Sequence, residues 1–438
     1  MAQTQSIFGL FRVEPLLDSR DILLMKCLPS LIFFVSLMFF PLLEAPAAEN
    51  WPQFRGPGAQ GHSAAKDVPI EWDTKKNVAW KIEVPGKGWS SPAYVDGRIY
   101  LTSAVPEPDG DHHTLRALCL DAKDGSVIWN KVLFKRPIIR IHIKNSHASA
   151  SPRVDGDRLF VHFGAQGSAC LDLDGNILWK QTDIDYKMVH GNGGAPAFAD
   201  DKYIVSCDGA KDPFIIALDA QTGKQVWKTR RDINVENKFT FSSPLVVDDL
   251  VLSPASGALA AYRIKNGREV WRARYDEGYS VIPRPVIGEF GGKRLAICAS
   301  GYNQSTAVCV ELGGKGDVTD THVKWRVKKA APHTPSMILK DDMLFMISDI
   351  GIASCLDPVS GEAYWIARVG GQHSSSPILA EDRVYFQDER GKGTVIKAAK
   401  SFEILARNDL KEQTLASYAV TDGTLFVRTL KHLYRIGE

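Results

Sequence analysis

The segment Ala217-Leu218-Asp219-Ala220-Gln221-Thr222-Gly223-Lys224-Gln225-Val226-Trp227 decides the fold, because its pattern returns along the whole chain. Each copy has an apolar run, a glycine, and a tryptophan four residues after that glycine. The glycine permits the positive φ of a tight turn, so each copy predicts a β-hairpin whose second strand carries the tryptophan. The copies place these two residues at Gly125 and Trp129, Gly175 and Trp179, Gly223 and Trp227, Gly267 and Trp271, and Gly361 and Trp365.

A second motif precedes each hairpin and consists of a Ser-Pro-like strand start, a tight turn and an apolar strand. Ser91-Pro92 leads through Asp96-Gly97 to Ile99-Tyr100-Leu101 in the clearest copy. Proline is tolerated at the first residue of a strand, where it need not donate a hydrogen bond to the sheet. The two motifs together give four short strands in each 40 to 54 residues, which is the spacing of a β-propeller blade.

The order of the two motifs predicts how the ring closes. The strand Val78-Ala79-Trp80-Lys81-Ile82 comes before any Ser-Pro-like strand, whereas the last unit, Ala416 to Ile436, lacks a tryptophan-type strand. With both motifs counted eight times, we predict an all-β fold, an eight-bladed β-propeller of four-stranded antiparallel blades. Residues 78–84 are expected to complete the blade formed by 415–437, because closure removes an exposed sheet edge.

The repeated tryptophans are interpreted as structural, because a residue that recurs once per blade is better explained by packing between sheets than by a ligand site. The tryptophans assigned to blade docking are Trp80, Trp129, Trp179, Trp227, Trp271, Trp325 and Trp365. Cysteines at equivalent third-strand positions are expected to be small buried hydrophobes. We also consider a disulfide between Cys298 and Cys309, which would face each other if their hairpin centred between Asn303 and Gln304.

The N-terminus resembles an export signal. Lys26 precedes the apolar run Leu31 to Phe40, and the small residues Ala45 to Ala48 follow it. We therefore predict a signal peptide at 1–48, with Met25 as an alternative start, an N-terminal extension at 49–77 and the propeller at 78–438. An uncleaved N-terminal anchor is the open alternative. The protein is expected to be periplasmic or extracellular, and not an integral membrane protein once the signal is removed.

The charge balance gives no support to nucleic-acid binding. The chain has 53 Lys and Arg against 51 Asp and Glu, for a net charge of +2. Nucleic-acid-binding proteins usually carry a clear excess of basic residues. We expect a monomer whose partner is a protein of the envelope or a secreted protein, and no binding to nucleic acid.

The hairpin at Ala217–Trp227 resembles the tryptophan-docking motif of the pyrroloquinoline-quinone (PQQ) repeat family almost residue for residue. The opening Trp51-Pro52-Gln53-Phe54-Arg55-Gly56 is also similar to the start of such propellers. The resemblance implies either a quinoprotein dehydrogenase, which binds PQQ and calcium over the propeller axis, or a non-catalytic propeller of the BamB type, which binds other proteins. The chain lacks the adjacent cysteine pair of the alcohol dehydrogenases and a Cys-x-x-Cys-His haem motif, and no segment matches the family's calcium ligands. We therefore predict no cofactor, no metal site and no catalytic residue, with a PQQ- and calcium-dependent alcohol or sugar dehydrogenase as the alternative.

One end of the propeller is expected to carry the binding face, because the loops there are rich in histidine and aromatic residues. In a four-stranded meander, the loop before the first strand and the loop between the second and third strands lie at the same end. The residues assigned to this face are Trp89, His112, His147, His190, Tyr279, Asn303, His333 and His373. The basic and apolar stretch Lys135 to Lys144 is expected at the same end, either as a docking element or as a cover for the channel rim.

Overall fold

The structure, a computed structural model, describes residues 49–275 and 277–437. In this part of the chain, eight antiparallel sheets of four strands stand around a common axis, which confirms the predicted eight-bladed propeller. The strands run outward from the axis in the order first to fourth. They are Ala93–Val95, Arg98–Pro106, His112–Asp121 and Val127–Pro137 in blade 1; Arg153–Asp155, Arg158–His162, Ser168–Asp172 and Ile177–Gln181 in blade 2; Ala197–Ala199, Lys202–Cys207, Phe214–Asp219 and Gln225–Arg230 in blade 3; Leu245–Val247, Leu250–Ala255, Ala258–Arg263 and Glu269–Arg274 in blade 4; Val286–Phe290, Lys293–Ala299, Ala307–Glu311 and Val323–Val327 in blade 5; Ile338–Lys340, Met343–Ile347, Ile352–Leu356 and Ala363–Arg368 in blade 6; Ile378–Ala380, Arg383–Gln387, Lys392–Lys397 and Ile404–Asp409 in blade 7; and Ala419–Thr421, Thr424–Arg428, His432–Gly437 and Val78–Glu83 in blade 8.

A few short elements supplement the blades. Two-residue strands extend two sheets in parallel, His62–Ser63 beside Ile378–Ala380 in blade 7 and Gly316–Asp317 beside Glu269–Arg274 in blade 4. The helical segments in the described residues are the 3-10 turns Pro57–Ala59 and Gly164–Gln166 and the α-helix Thr319–His322.

The N-terminal strand closes the ring, as its position before the repeats predicts. Val78–Glu83 pairs antiparallel with His432–Gly437 and forms the outermost strand of blade 8, with Trp80 opposite Arg435. Blade 8 is therefore built from both ends of the propeller sequence, and no blade in the described chain is left with three strands.

Each fourth-strand tryptophan docks onto the following blade. In blades 1 to 4 and 6 the turn glycine of the receiving blade lies against the indole ring, and a Cβ added to Gly223 would sit 2.7 Å from the ring of Trp179. The blade 7 turn has no glycine, and Phe402 packs on Trp365 instead, with ring centres 5.0 Å apart. Trp271 differs further, because blade 5 has the longer connection 312–322 in place of the tight turn, and the buried Nε1 of Trp271 finds no partner in the described residues. The other indoles donate to a carbonyl of the next blade at 2.8–3.1 Å: Trp80 to Ala122, Trp129 to Leu173, Trp179 to Ala220, Trp227 to Ile264, Trp325 to Pro358 and Trp365 to Ala399.

Serines at the starts of the first strands connect neighbouring blades around the axis, which explains the Ser-Pro-like motif. In each case the serine Oγ accepts the backbone N–H of the corresponding residue in the preceding blade. The bond from Ser417 to Ser91 joins blade 8 to blade 1, so this ring of hydrogen bonds crosses the closure. The bonds, at 2.9–3.0 Å, run from Ser417 to Ser91, Ser91 to Ser151, Ala195 to Ser243, Arg284 to Ser336, Ser336 to Ser376 and Ser376 to Ser417.

Residues 51–63 cross one end of the axial channel and close it. Trp51 exchanges both backbone hydrogen bonds with Tyr94 of blade 1, at 2.7 and 2.9 Å, and the carbonyl of Pro52 accepts from Val154 of blade 2. Further along, His62–Ser63 pairs with the first strand of blade 7. This segment, called the plug below, satisfies backbone groups at the inner edges of three blades, which would otherwise be exposed sheet edges.

The chain then leaves the axis between blades 7 and 8. The backbone N–H of Val68 donates to Glu381 of blade 7, and that of Trp72 donates to Asn408 of the same blade. The Trp72 ring packs edge-on against Tyr418 of blade 8. The segment predicted as an N-terminal extension therefore packs into the propeller, whereas the predicted signal peptide, with Met25, lies outside the described residues.

The structure contradicts the hypothesis of a disulfide between Cys298 and Cys309. The hairpin centres on Asn303, so Ile297 lies opposite Cys309 and Cys298 lies opposite Val308. A shift of one residue turns a side chain to the other face of a sheet. Cys298 accordingly packs in the core shared with blade 4, and Cys309 packs in the core shared with blade 6. All six cysteines of the described chain are buried and free.

Candidate functional site

A funnel opens on the axis at the end of the propeller where the chain runs into each first strand. Its cavity measures about 620 Å³ and takes its lining from all eight blades. Phe54 of the plug also belongs to the lining, so the plug forms the floor. A cavity of this size is within the range that holds small ligands in other proteins.

The structure brings half of the residues assigned to the binding face into this funnel. Those in the lining are Trp89, His190, Tyr279 and His333. The others, His112, His147, Asn303 and His373, do not line it. His112 pairs with Asp109 at the start of a blade 1 strand, at 3.1 Å, and Asn303 is exposed at the tip of the blade 5 hairpin.

His373 has an internal structural position and only 2% of it is exposed. Its Nδ1 lies 3.0 Å from the carbonyl of Gln387, and its Nε2 lies 2.9 Å from that of Gly370. Burial lowers the pKa of His373. Its imidazole therefore joins two loops of the propeller and offers no surface to a partner.

His147 is also engaged internally, beside His113. The two ring centres are 4.2 Å apart, and Nε2 of His147 lies 3.0 Å from the carbonyl of Ile139. The pKa of His113 is lowered to about 4, mainly by burial and secondly by the positive charge of a protonated His147 beside it. Burial also lowers the pKa of His147. Both rings are therefore neutral at physiological pH, and they support the base of the loop that follows blade 1.

That loop, residues 138–145, runs across the mouth of the funnel and is called the strap below. The backbone N–H of His142 donates to the carbonyl of His190 in blade 3, and Lys144 forms an ion pair with Glu389 of blade 7 at 2.8 Å. Ile143, between these anchors, is 87% exposed. The basic stretch singled out in the sequence is therefore partly the end of a blade 1 strand and partly a cover over the rim.

Six aromatic rings follow one another around one side of the funnel, from the strap to blade 6. This set, called the aromatic arc below, has successive ring centres 5.2 to 5.8 Å apart, mostly in edge-to-face contact. Its members are His142, His190, Phe239, Tyr279, Tyr302 and His333. Five of the eight blades therefore contribute to one continuous aromatic surface.

Sequence reasoning missed Phe54, Phe239 and Phe241, all of which line the funnel. The predicted face rests on loops with histidine, tyrosine, tryptophan and asparagine side chains, and it includes no phenylalanine. Phe239 and Phe241 were still recognisable, because two phenylalanines just before a Ser-Pro-like strand start lie in a loop position where the other blades have few apolar aromatics.

The opposite wall of the funnel is polar and carries little negative charge. It contains the serines Ser91, Ser151, Ser374, Ser376 and Ser417. Asp349 is the one acidic side chain among the described lining residues, and its Oδ2 already accepts the backbone N–H groups of His333 and Thr334, at 2.7 and 3.2 Å. In the described chain, no group of three or more His, Cys, Asp or Glu side chains is placed to hold a metal ion. No helix there is long and apolar enough to cross a membrane.

Comparison with known proteins relates this architecture to two groups. The family profile described as outer membrane protein assembly factor BamB matches residues 62–182, 119–367 and 317–401. Methanol dehydrogenase (cytochrome c) subunit 1 of Methylobacterium organophilum is 32% identical over 156 residues, which is 30% of this chain and 24% of that protein. The lanthanide-dependent methanol dehydrogenase of Methylacidiphilum fumariolicum is 38% identical over 146 residues, which is 29% of this chain and 23% of that protein. The alignments thus span about a quarter of the length of these curated relatives.

Solved structures show the same architecture at low sequence identity. A europium-containing methanol dehydrogenase superimposes with a TM-score of 0.66 at 11% identity, over 89% of this chain and 98% of that chain. The quinohemoprotein alcohol dehydrogenase of Comamonas testosteroni gives 0.64 at 14% identity, over 89% and 80%. At these identities the likeness is one of fold.

Proposed function

The chain belongs to the PQQ-like repeat family of β-propellers described as outer membrane protein assembly factor BamB, and from this premise we propose that it is a non-enzymatic scaffold of the cell envelope that binds a protein partner through its funnel mouth. The family contains both binding propellers and dehydrogenases, so the fold leaves this choice to the residues of the site.

The aromatic arc is the observation that carries the proposal. It offers a continuous aromatic surface beside the funnel, and Tyr302 within it is 57% exposed. Aromatic side chains are enriched at protein interfaces and dominate the binding energy when they are buried there. A partner that covers the arc would remove this surface from water.

The residues of the funnel do not fit the quinone and calcium pair of the dehydrogenases. Calcium requires several hard oxygen ligands, usually with more than one carboxylate, and oxidation of an alcohol needs a base close to the quinone. Asp349 alone would have to meet these needs, although its Oδ2 is already occupied by two backbone N–H groups. A PQQ- and calcium-dependent dehydrogenase remains the second candidate, because the curated relatives are named methanol dehydrogenases.

An envelope location is part of the same proposal. The N-terminal sequence has the order of charge, apolar run and small residues that is typical of a secretory signal. The family description names an assembly factor of outer membrane proteins, which agrees with a site of action outside the cytoplasm, in the periplasm or beyond it.

Site-specific photo-cross-linking tests the proposed face. The full chain would carry p-benzoylphenylalanine at Tyr302 in the aromatic arc or, as a control, at Val359, which is 55% exposed in a turn at the opposite end of the propeller. We expect one partner protein to be cross-linked from position 302 and identified by mass spectrometry, and not from position 359. Phe239→Ala should reduce the yield of the partner cross-linked from position 302 at least fivefold, because the substitution removes a ring at the centre of the aromatic arc.

Two results would contradict the scaffold function. The first is equal cross-linking to the same proteins from both positions. The second is oxidation of methanol, larger alcohols or aldoses with a dye acceptor after the purified chain is loaded with PQQ and calcium, lost with a chelator and restored by calcium.

A further inference from the structure

Four serine hydroxyls on the polar wall of the funnel have a free hydrogen-bond donor. Ser376, Ser417, Ser91 and Ser151 belong to blades 7, 8, 1 and 2 in succession, and all four line the cavity while being at least nine-tenths buried. Each Oγ accepts the backbone N–H of the ring serine in the preceding blade, and none of the four donates a hydrogen bond within the described residues. Since a hydroxyl has one donor and two acceptor sites, each O–H is available to a ligand that presents oxygen acceptors.

Two buried arginines carry positive charge at the plug and the serine ring that frame the funnel. The guanidinium of Arg284 donates to the carbonyl of Phe54, the residue that forms the floor, and to that of Pro244. The guanidinium of Arg55 donates to the carbonyls of Met337 and Pro377, which directly follow serines of the hydrogen-bonded ring. Both side chains are fully buried, and in the described chain the groups that accept hydrogen bonds from them are backbone carbonyls.

A third arginine adds to this charge beside the serine wall. Arg428 of blade 8 donates to Ser90 Oγ at 2.7 Å, next to the lining residue Ser91. Burial lowers the pKa of Arg55, Arg284 and Arg428 to about 9 in each case, so all three stay protonated at neutral pH. A buried cation without a counter-ion is costly, and an anion placed above it would lower that cost.

The funnel also restricts how a ligand can enter. The plug closes the inner end, and the strap covers part of the mouth. A cavity of about 620 Å³ accommodates a few amino-acid residues but offers no exit for a chain that passes through. A polypeptide must therefore enter by its end or as a tight loop.

We propose that the serine wall binds a carboxylate, which the positive charge of the arginines buried behind the lining favours, and that this carboxylate is the C-terminal group of a protein partner whose last side chains pack against the aromatic arc. The inference rests on the proposed function and names the part of the partner that is recognised. A carboxylate has two acceptor oxygens with about four lone-pair sites, which matches a wall of convergent O–H donors. The serine hydroxyls would bind the terminal carboxylate of the segment, and the aromatic rings would contact its last side chains.

Calorimetric titration of the full chain with a defined pair of peptides tests the inference. The probes are N-acetyl-Ala-Ala-Tyr-Phe with a free C-terminal carboxylate and the same peptide amidated at its C-terminus. We expect the free acid to bind at least tenfold more tightly than the amide. In the double variant Ser376→Ala and Ser417→Ala, this preference should fall below threefold, because two of the four donors are lost.

Ser243→Ala supplies the matched control. Ser243 accepts a backbone N–H in the same ring, from Ala195, but does not line the funnel. The control should keep the tenfold preference for the free acid. A loss of preference in Ser243→Ala equal to that in the double variant would mean that the serines act only by holding the blades, and the inference would be wrong.

Further outcomes separate the inference from the proposed function. Equal binding of the acid and the amide, or no binding of either at millimolar concentration, overturns the carboxylate site and leaves the cross-linking at Tyr302 as an independent test of the scaffold. PQQ is itself an aromatic carboxylate, so it serves as the competitor. If PQQ displaces the acid peptide and binds at least tenfold more tightly, the carboxylate comes from a small molecule and the assignment to a chain terminus is wrong.

Discussion

Replacing Gly223 by alanine tests whether tryptophan docking holds neighbouring blades together. Gly223 has φ of +71°, and a Cβ there would lie 2.7 Å from the ring of Trp179. Gly97→Ala is the matched control, because Gly97 has φ of +79° in another tight turn and a Cβ there would meet nothing within 4 Å. Both variants therefore share the cost of a left-handed alanine, and only one disturbs the contact between blades.

The magnitude follows from these two contributions. A left-handed conformation costs a residue other than glycine about 1–2 kcal/mol, which we expect for Gly97→Ala. In Gly223→Ala the indole must also move away by several tenths of an ångström, and such overpacking typically costs about 1–3 kcal/mol. That movement weakens the 2.8 Å hydrogen bond from Trp179 Nε1 to the carbonyl of Ala220, which contributes about 1 kcal/mol. Gly223→Ala should thus be less stable than the control by about 2–4 kcal/mol.

Urea unfolding followed by tryptophan fluorescence and circular dichroism measures the difference. If unfolding proves irreversible, the half-lives of the two variants in fixed urea give the same ranking. A difference below about 0.5 kcal/mol, which is the usual range of neutral surface substitutions, would refute the docking argument, because the clash would then have been absorbed without cost.

Two further predictions concern the strap and the buried histidines. Glu389→Gln removes the charge that pairs with Lys144, so trypsin should cleave the strap after Arg140 or Lys144 several-fold faster than in the parent protein. The control is Glu403→Gln, which removes a 3.9 Å ion pair between exposed side chains and should leave the cleavage rate unchanged. Equal cleavage rates in both variants would show that the ion pair does not hold the strap. Burial lowers the pKa of His162 to about 4, so the folded state binds this proton at a lower pH than the unfolded state does. Stability is therefore lost as pH falls from about 6.5 towards 4. His162→Gln should make that loss shallower by up to about 1.4 kcal/mol per pH unit, and an unchanged slope in urea unfolding across this window would count against the buried neutral imidazole.

The repeats made the propeller predictable, because most repeats contain their turn residues and a docking tryptophan at short, recurring spacings. Even the closure by Val78–Glu83 followed from the order of motifs. The hairpin of Cys298 and Cys309 shows the limit, since one residue of register in a loop around Asn303 decided which core each thiol entered. The path of residues 51–77 was also out of reach, because its partners Tyr94, Leu379 and Asn408 are distant in sequence.

The site was predictable as a face and not as a set of contacts. Strand alternation placed Trp89, His190, Tyr279 and His333 at one end, where the funnel lies. The same reasoning could not tell that the imidazole of His373 is used between two backbone carbonyls. Phe239 was recognisable as an apolar aromatic in an entry loop, but its place in the arc was not, because the arc exists only when loops from different blades meet.

The way the ring is fastened has a consequence for the order of folding. Residues 62, 63 and 78–83 are synthesised early, yet their strand partners lie at 379–380 and 432–436. Central blades can form from local hairpins as they emerge, but these N-terminal segments must wait until more than three hundred further residues have been made. Contacts of such long range are slow to form and leave sheet edges open to aggregation meanwhile. A nascent chain of this protein therefore passes through a nearly complete ring that is not yet closed, and it is most prone to aggregation just before residues 432–436 become available for pairing.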